Sequence, residues 1–327
     1  MTQSQKKYLN YQQQVDLLKQ KGLIINDEKF AAKALQEIGY YKLINAYKSP
    51  FTFTVKNSDG SEIRKYMQDV TIEQLYFLYK FDLSLEAIVF EATTSAEITF
   101  KQFISNQISS KYGIKDRQYL KAQNFAPDNG SEYEYKFADM KRHIKSEIKK
   151  QADNNHPAIS WYKTNYNYYP FWVVVNILTI GSVSRIFGKL KEEDKSDIAK
   201  EYRLPHKYLS AFIRHINLVR NICAHNNVLY HYKSINAIPQ KATKAIYEKL
   251  GIKINEKTGR YEKGNNDFLA TLIVLKYLII DKTTYNNLIL KTESALNKLK
   301  KKVPKVCYDS ILNELGLVEN WKDIAKL

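Results

Sequence analysis

Three polar residues near the end of one predicted helix could act together on a phosphodiester. Arg220 and Asn221 are adjacent, and His225 lies four residues after the asparagine, so the side chains of Asn221 and His225 can meet on one helix face. Histidine transfers protons near neutral pH, and the guanidinium fork of arginine matches the geometry of phosphoryl oxygens. The asparagine can orient either the imidazole or the phosphate. Arg220, Asn221 and His225 are therefore candidate catalytic residues for phosphoryl chemistry without a metal.

The helix predicted over residues 204–226 must position these side chains. Its apolar residues recur at the i, i+3, i+4 and i+7 spacing of a buried helix face. Arg220 points only about 40° from Ile216, into this face, where a guanidinium needs a partner or an exit to solvent. Simpler interpretations stay open, with His225 favoured by the helix C-terminal dipole and the stem of Arg220 packed on the core. The predicted apolar face consists of Leu209, Phe212, Ile213, Ile216, Val219 and Cys223.

The composition of the chain favours a helical globular protein with a polyanionic partner. Lysine and arginine outnumber the acidic residues by 51 to 34, and the resulting formal net charge of +17 favours nucleic acid. The 327 residues include only 11 glycines and 7 prolines, which disfavours a turn-rich all-β fold. Two cysteines exclude a disulfide scaffold and a cysteine-rich zinc site within one chain. The common glycine-rich loops that bind nucleotides do not occur.

Helical periodicity dominates the remaining sequence, so the predicted fold class is all-α with minor β-hairpins. Residues 51–67 are predicted to form a hairpin around a turn signal at 57–60, and residues 251–266 a small hairpin or an exposed loop. Residues 124–134 are predicted to be a loop, and residues 153–170 to be irregular. The predicted helices span residues 11–21, 27–38, 71–112, 135–151, 171–190, 192–202, 204–226, 267–280 and 283–299.

We expect three regions along the chain. Residues 1–66 form an N-terminal helical region with the small hairpin, residues 67–245 a helical core that carries the arginine–histidine motif, and residues 246–327 a basic helical C-terminal region. The first residues include no apolar segment typical of a secretory signal. The apolar stretch at 268–280 contains Lys276 and is too short to span a bilayer. We therefore expect a cytoplasmic protein that does not associate with membranes.

Two groups of basic and aromatic residues are candidates for contacts with RNA. The predicted helix over residues 135–151 carries lysines and an arginine suited to phosphates, and tyrosines next to a lysine near residue 40 could stack on bases. Packing of half-buried tyrosines and a general bias towards lysine are alternative explanations. Glu97 is interpreted as the structural partner of a buried polar group. The candidate RNA-binding residues are Lys141, Arg142, Lys145, Lys149, Tyr40, Tyr41 and Lys42.

Residues 220–225 (RNICAH) place an asparagine directly after the arginine and a histidine five residues after it. This is the frequent Arg-Asn-x-x-Ala-His form of the Arg-x4–6-His motif of the HEPN superfamily. Several segments resemble the Abi-D/Abi-F type of bacterial abortive-infection proteins, which are placed in that superfamily. The resemblance extends from about residue 9 to residue 232. The sequence departs from the family at residues 83–86, where arginines are usual, and at Asn176, where glutamate is frequent. The other similar segments are residues 23–28 (LIINDE), 38–42 (IGYYK), 78–82 (LYKFD) with Glu97 beyond it, 170–172 (PFW) and 181–184 (GSVS).

The resemblance implies a HEPN-type helical bundle and a metal-independent endoribonuclease that is toxic to its own cell and acts in phage defence. Attack by the 2′-hydroxyl is expected to give a 2′,3′-cyclic phosphate, or a 3′-phosphate, and a 5′-hydroxyl. The expected partners are substrate RNA and a structured non-coding RNA that restrains the toxin, with no cofactor and no metal. The alternatives are a non-catalytic HEPN module that binds RNA and the protein-interaction half of a toxin–antitoxin pair.

One chain supplies one arginine–histidine set. In-line attack on a phosphate is best served by groups on both sides of the phosphorus, so two copies of the motif facing each other are the natural solution. We therefore expect a homodimer in which the two motif helices are adjacent.

Overall fold

The computed structural model describes residues 7–56, 60–131 and 134–326, which are mainly helical. In these residues strand β1 (Thr52–Lys56) pairs with β2 (Glu62–Tyr66), and β3 (Ile254–Asn255) pairs with β4 (Arg260–Tyr261), both antiparallel. The predicted all-α class with minor hairpins is thus confirmed. The α-helices are α1 (Tyr11–Gln20), α2 (Glu28–Ile38), α3 (Ile72–Tyr112), α4 (Asp116–Tyr119), α5 (Phe137–Asp153), α6 (Pro157–Tyr166), α7 (Phe171–Val174), α8 (Ile180–Lys189), α9 (Glu192–Lys200), α10 (His206–Ala224), α11 (Gln240–Lys249), α12 (Phe268–Leu278), α13 (Lys282–Lys300) and α14 (Lys305–Glu314).

Helix α3 is the longest element and lies at the centre of the packing. Its 41 residues span about 60 Å. At its start the side chain of Gln74 accepts a hydrogen bond from the backbone N–H of Thr71, and the helix ends where Gly113 adopts a φ of 88°. Helices α2, α4, α7, α8, α9, α10, α12 and α13 all pack against α3. This single helix therefore positions most of the others.

Helix α10 buries the apolar face that the sequence predicts. All six predicted residues are buried, and the helix packs against α3, α8, α9 and α12. Helix α8 approaches closely at Gly181, where an added Cβ would lie 3.4 Å from the Asn217 amide oxygen. The buried apolar residues form one cluster that extends from Val15 to Ile324. The division into three regions stays a prediction.

Two predicted elements differ in the structure. Residues 153–170 are not irregular, because Pro157 begins helix α6, and Asn167 ends it with a left-handed backbone conformation. This helix buries only Ile159 along its length, so it has no apolar face that the sequence could show. The single helix predicted over residues 171–190 is interrupted instead. A 3-10 turn follows α7, and the hydroxyl of Thr179 caps the start of α8 by accepting from the Ser182 N–H.

Helices α11 and α14 were not predicted from the sequence. Each has ten residues and follows a proline, Pro239 or Pro304, which suits the start of a helix. The hairpin predicted over residues 51–67 is confirmed as β1 and β2, although part of its turn signal lies outside the described residues. The hairpin at residues 251–266 is formed by β3 and β4. A π-helical turn occupies Tyr41–Asn45.

Helix α3 also buries polar side chains on the side that faces its neighbours. Asp82 is fully buried and accepts hydrogen bonds from the Tyr47 hydroxyl at 2.9 Å and from the backbone N–H groups of Leu229 at 3.1 Å and Tyr230 at 2.8 Å. Glu86 lies one turn later, and one of its carboxylate oxygens is buried without a hydrogen-bond partner among the described residues. The buried polar residues of α3 are Asp82, Glu86, Thr93, Glu97, Lys101 and Ser105.

Burial and the neighbouring carboxylate favour the neutral form of Glu86. Burial raises its pKa to about 8, the charge of Asp82 adds to this rise, and Lys42 opposes it. Burial also raises the pKa of Asp82 to about 6, against the hydrogen bonds that favour its charged form. A carboxyl group with a raised pKa holds a proton in the folded state that the unfolded chain releases. The two groups therefore make the protein less stable as the pH rises through this range.

The substitution Glu86→Gln should remove much of this pH dependence. The free energy of unfolding of the variant should exceed that of the wild type increasingly between about pH 5 and about pH 8, by on the order of 1 kcal/mol or more at the upper end. Urea unfolding at a series of pH values measures this difference. Glu91→Gln, an exposed position on the same helix, is the matched control and should show no such trend. Parallel pH profiles for Glu86→Gln and wild type would contradict the prediction.

Candidate active site at the end of helix α10

The three motif residues lie at the C-terminal end of α10. Arg220 and Asn221 are in its last turns, and His225 is the first residue after the helix. The backbone N–H of His225 still donates to the carbonyl of Asn221 at 3.1 Å, whereas Asn226 adopts a left-handed φ of 49°. The chain turns at this point, and His225 is exposed.

Arg220 lies against α3, as expected from its position on the apolar face of the predicted helix. Its guanidinium carbon is 5.4 Å from the centre of the Phe90 ring, and its Nε is 3.8 Å from a carboxylate oxygen of Glu97. The Nε is buried and makes no hydrogen bond within the described residues, while 35% of the side chain stays exposed. The guanidinium is thus held against α3 at its carbon and its Nε, while about a third of the side chain remains accessible to a ligand.

Glu97 balances two cations at once. Its other carboxylate oxygen is 2.7 Å from the Nζ of Lys101, and these two side chains are only 11% and 10% exposed. The interpretation of Glu97 as the partner of a buried polar group is confirmed. One carboxylate between Lys101 and Arg220 leaves a net positive charge beside the motif. Such a charge favours an anion at the exposed end of Arg220.

The side chains of Asn221 and His225 are both exposed. The spacing allows them to meet, but no hydrogen bond joins them within the part of the chain that is described here. The imidazole of His225 is therefore free to contact a substrate. The polar stripe of α10 continues from these residues through Asn217 to Arg214, about three turns before His225.

Asp82 holds the chain that follows the motif. Because it accepts from the N–H groups of Leu229 and Tyr230, it fixes the path of the segment that begins at His225. In the sequence, Asp82 is only the last residue of the segment 78–82 (LYKFD) that resembles the Abi-D/Abi-F type, and that segment does not indicate this role. The partners are 147 and 148 residues apart, and only the fold brings them together.

The other histidines near the motif are less suited to catalysis. His215 is buried and its Nε2 is 3.0 Å from the Thr271 hydroxyl, and burial lowers its pKa to about 4. His231 is half-buried against the ring of Tyr230, and burial lowers its pKa as well. His225 is thus the accessible histidine of this segment.

The candidate RNA-binding residues lie on other elements. On α5, Lys145 and Lys149 are exposed, Arg142 pairs with Asp139 at 2.9 Å, and Lys141 lies over the Phe137 ring. This helix is attached to α8, since the Nε2 of its His143 is 2.8 Å from the Ser182 hydroxyl.

The second group lies at the π-helical turn. Tyr41 is 80% exposed, whereas Tyr40 contacts Lys21. The ammonium of Lys42 lies 6.0 Å from the centre of the Tyr79 ring. The structure thus places neither group on α10 itself.

The described residues contain no cluster of three or more histidine, cysteine, aspartate or glutamate side chains that could hold a metal ion. In the same part of the chain, no helix has both the length and the apolar composition needed to cross a membrane.

Comparison with known families bears on the segment that contains this site. The sequence model of a family described as Abi-like protein matches residues 33–231. The chain belongs to the Abi-like family. The matched segment contains α3 and α10 with Asp82, Glu97 and all three motif residues. Searches of curated proteins and of solved structures found no match.

The matched segment ends where the resemblance in the sequence ends, near residue 231, but it begins at residue 33 rather than near residue 9 and does not include residues 23–28. It begins within α2 and ends just after the backbone groups that Asp82 binds. Membership of this family supports a role in abortive infection. Helices α12, α13 and α14 lie beyond the matched segment, although α12 and α13 pack directly on α3.

The Glu97–Lys101 pair should be essential for the stability of this Abi-like site. Glu97→Gln leaves Lys101 buried without a counter-charge, and breaking a buried pair in this way costs about 3–5 kcal/mol. The double variant Glu97→Gln with Lys101→Met should recover most of the loss, because the buried charge of Lys101 is then removed as well and only the partly exposed Arg220 lacks its carboxylate. Chemical unfolding of the two variants measures both effects.

Glu193→Gln is the matched control, because Glu193 pairs with Lys111 at 2.8 Å but is largely exposed. Its loss should stay within about 1 kcal/mol. Equal losses for Glu97→Gln and Glu193→Gln would show that Lys101 does not depend on Glu97.

Proposed function

We propose that this Abi-like protein is a metal-independent endoribonuclease of the HEPN superfamily, the toxin of a phage-defence system that acts in the cytoplasm. The observation that carries the proposal is that the exposed imidazole of His225 lies on the same helix end as the guanidinium of Arg220, which is held against α3 and remains partly exposed. Both lie at the end of one helix that is packed firmly on α3.

These residues can divide the reaction between them. The 2′-oxygen of the RNA attacks the adjacent phosphorus, and the bond from phosphorus to the 5′-oxygen breaks. His225 is suited to accept the 2′-hydroxyl proton or to supply the proton that the leaving 5′-oxygen takes. Arg220 stabilises the charge on the phosphoryl oxygens, and Asn221 orients the imidazole or the phosphate. The products are a 2′,3′-cyclic phosphate and a 5′-hydroxyl.

The net charge of +17 supports RNA as both substrate and regulator. A structured non-coding RNA bound to the basic surface would restrain the toxin until infection. Lys141, Arg142, Lys145 and Lys149 on α5, together with Tyr40, Tyr41 and Lys42, are proposed contacts for such an RNA.

A homodimer completes the proposed site, because each chain supplies one set of motif residues. The direction of Arg220 does not require a second chain, since α3 of the same chain covers it. An exposed apolar position on α10 supports the dimer instead. Leu218 is 43% exposed, and Ile222 one turn later is partly exposed, on a strip that leads to His225.

His225→Ala should lower the rate of RNA cleavage by about 10²–10⁴, because the group that handles the proton is lost. Arg220→Lys should also be impaired, since an ammonium lacks the planar fork. Labelled RNA incubated with each variant in the presence of EDTA measures the rate, and DNA of the same sequence should remain intact because it lacks the 2′-hydroxyl.

His206→Ala, at the opposite end of the same helix, is the matched control and should cleave RNA at the wild-type rate. Full activity of His225→Ala would refute the nuclease assignment. RNA that binds but is never cleaved by the wild type would favour the non-catalytic RNA-binding module.

Leu218→Asp should separate the proposed dimer and abolish cleavage, because a carboxylate buried at a two-fold interface meets its own copy. Sedimentation measures the mass and labelled RNA the activity. Ile235→Asp is the matched control, since Ile235 is 97% exposed away from α10.

Mixing His225→Ala chains with wild type should reduce activity more than dilution does. A wild type that is monomeric during turnover would contradict the dimer.

A further inference from the structure

A second positively charged site lies on the same polar stripe of α10. It is a cavity of about 370 Å³ between α8, the first half of α10 and the segment before α5. Arg214 of α10, Arg185 and Gly188 of α8, and Tyr135 line it. None of these residues belongs to the motif, and no part of the proposed reaction uses them.

The two arginines of this cavity have no carboxylate partner among the described residues. Lys189 also lines the cavity, but it is ion-paired with Asp128 at 2.5 Å and Glu134 at 2.8 Å. The second oxygen of Glu134 accepts from two backbone N–H groups, at 2.6 and 3.2 Å. The carboxylates of Asp128 and Glu134 are therefore occupied, and within the described part of the chain the positive charges of Arg185 and Arg214 are not compensated.

The walls of the cavity have further features of a binding site. The guanidinium of Arg185 lies 4.7 Å from the centre of the Tyr135 ring, which limits its motion. The hydroxyl of Tyr135 is buried and has no hydrogen-bond partner among the described residues. An added Cβ at Gly188 would meet nothing within 4 Å, so this exposed glycine keeps one wall open although glycine is unfavourable within a helix.

The cavity is aligned with the motif. Arg214 precedes His225 by eleven residues, which is about three helical turns and about 16 Å along the same face of α10. Asn217 and Asn221 lie between them on that face. A single strand of RNA that follows the stripe can therefore reach both places, since sites for single strands cover about 4 nucleotides or more.

We infer that this cavity binds a backbone phosphate of the RNA substrate, a few nucleotides from the bond that is cleaved. Arg185 and Arg214 grip its oxygens, and the ring of Tyr135 holds Arg185 in place. The cavity thus sets which phosphate reaches His225. This inference rests on the proposed ribonuclease activity and adds a substrate-positioning subsite to it.

Binding of a fluorescent single-stranded oligoribonucleotide tests the subsite, with the full-length His225→Ala protein used to prevent cleavage. Arg185→Ala and Arg214→Ala, each added to that protein, should weaken binding about tenfold or more and lower the slope of affinity against salt by about 0.7 each. Arg117→Ala, an exposed arginine outside the cavity, is the matched control and should lower affinity only slightly.

Gly188 offers a second test that does not remove an arginine. Gly188→Glu places a carboxylate in the cavity and should weaken binding as strongly as the loss of an arginine, whereas Gly188→Ala fits the open space and should bind normally. In the cleaving protein, the same substitutions should raise KM more than they lower kcat. Equal weakening by Gly188→Ala and Gly188→Glu would overturn the subsite.

The outcomes separate the subsite from the nuclease. If the wild type cleaves RNA while the arginine and Gly188→Glu variants bind and cleave normally, the subsite is refuted and the nuclease stands. If the wild type cleaves no RNA but the variants lose affinity for it, the cavity is an RNA-binding site and the nuclease assignment fails.

Discussion

The buried carboxylate of Asp82 determines how the motif is presented. It accepts hydrogen bonds from Tyr47 in the N-terminal region and from two backbone N–H groups that follow α10, so three distant parts of the chain meet at one turn of α3. A buried carboxylate without these donors would cost several kcal/mol, so these hydrogen bonds favour the observed path of the segment after His225. The exposed imidazole of His225 therefore lies at the start of a segment that Asp82 holds by hydrogen bonds.

The same helix fixes the motif cation through a second buried carboxylate. Glu97 lies fifteen residues, about four turns, beyond Asp82, and it holds Lys101 and Arg220 together. A buried ion pair of this kind stabilises the fold no more than apolar residues of similar volume would. It does fix the guanidinium on Phe90 with its outer end towards solvent. The buried carboxylates of α3 thus reduce stability relative to an apolar core, but they orient the residues of the site.

The sequence predicts the helices that carry this site better than it predicts which side chains contact each other. The buried face of α10 follows from its spacing, and Asp27 and Asp267 stand at the predicted helix starts because their side chains accept from the backbone of the first turn. Arg220 could be predicted to need a partner, and Glu97 to be one for a buried group. That the two belong together depends on the crossing of α3 with α10, over more than a hundred residues of chain.

Other features are invisible in the sequence for a different reason. Helix α6 buries too little to leave an apolar period, and the interruption between α7 and α8 depends on one threonine cap within an apolar stretch. The cavity at Arg185 and Arg214 is harder still to predict, because isolated arginines give no spacing signal. Its positive charge becomes clear only from the structure, in which Lys189 pairs with the neighbouring carboxylates and leaves the two arginines without them.

The proposed dimer contact and the proposed RNA path use neighbouring parts of the surface of α10, since Arg214 and Leu218 lie one turn apart. Leu218 and Ile222 form one strip, and Arg214, Asn217 and Asn221 form another beside it, and the two converge towards His225. A two-fold axis near Ile222 would bring the two histidines together at the centre of the interface. The two cavities would then lie on opposite sides of the axis. In such an arrangement each strand of RNA is held away from the axis by one chain and cut at the axis by groups from both, so dimerisation and substrate position control the same step.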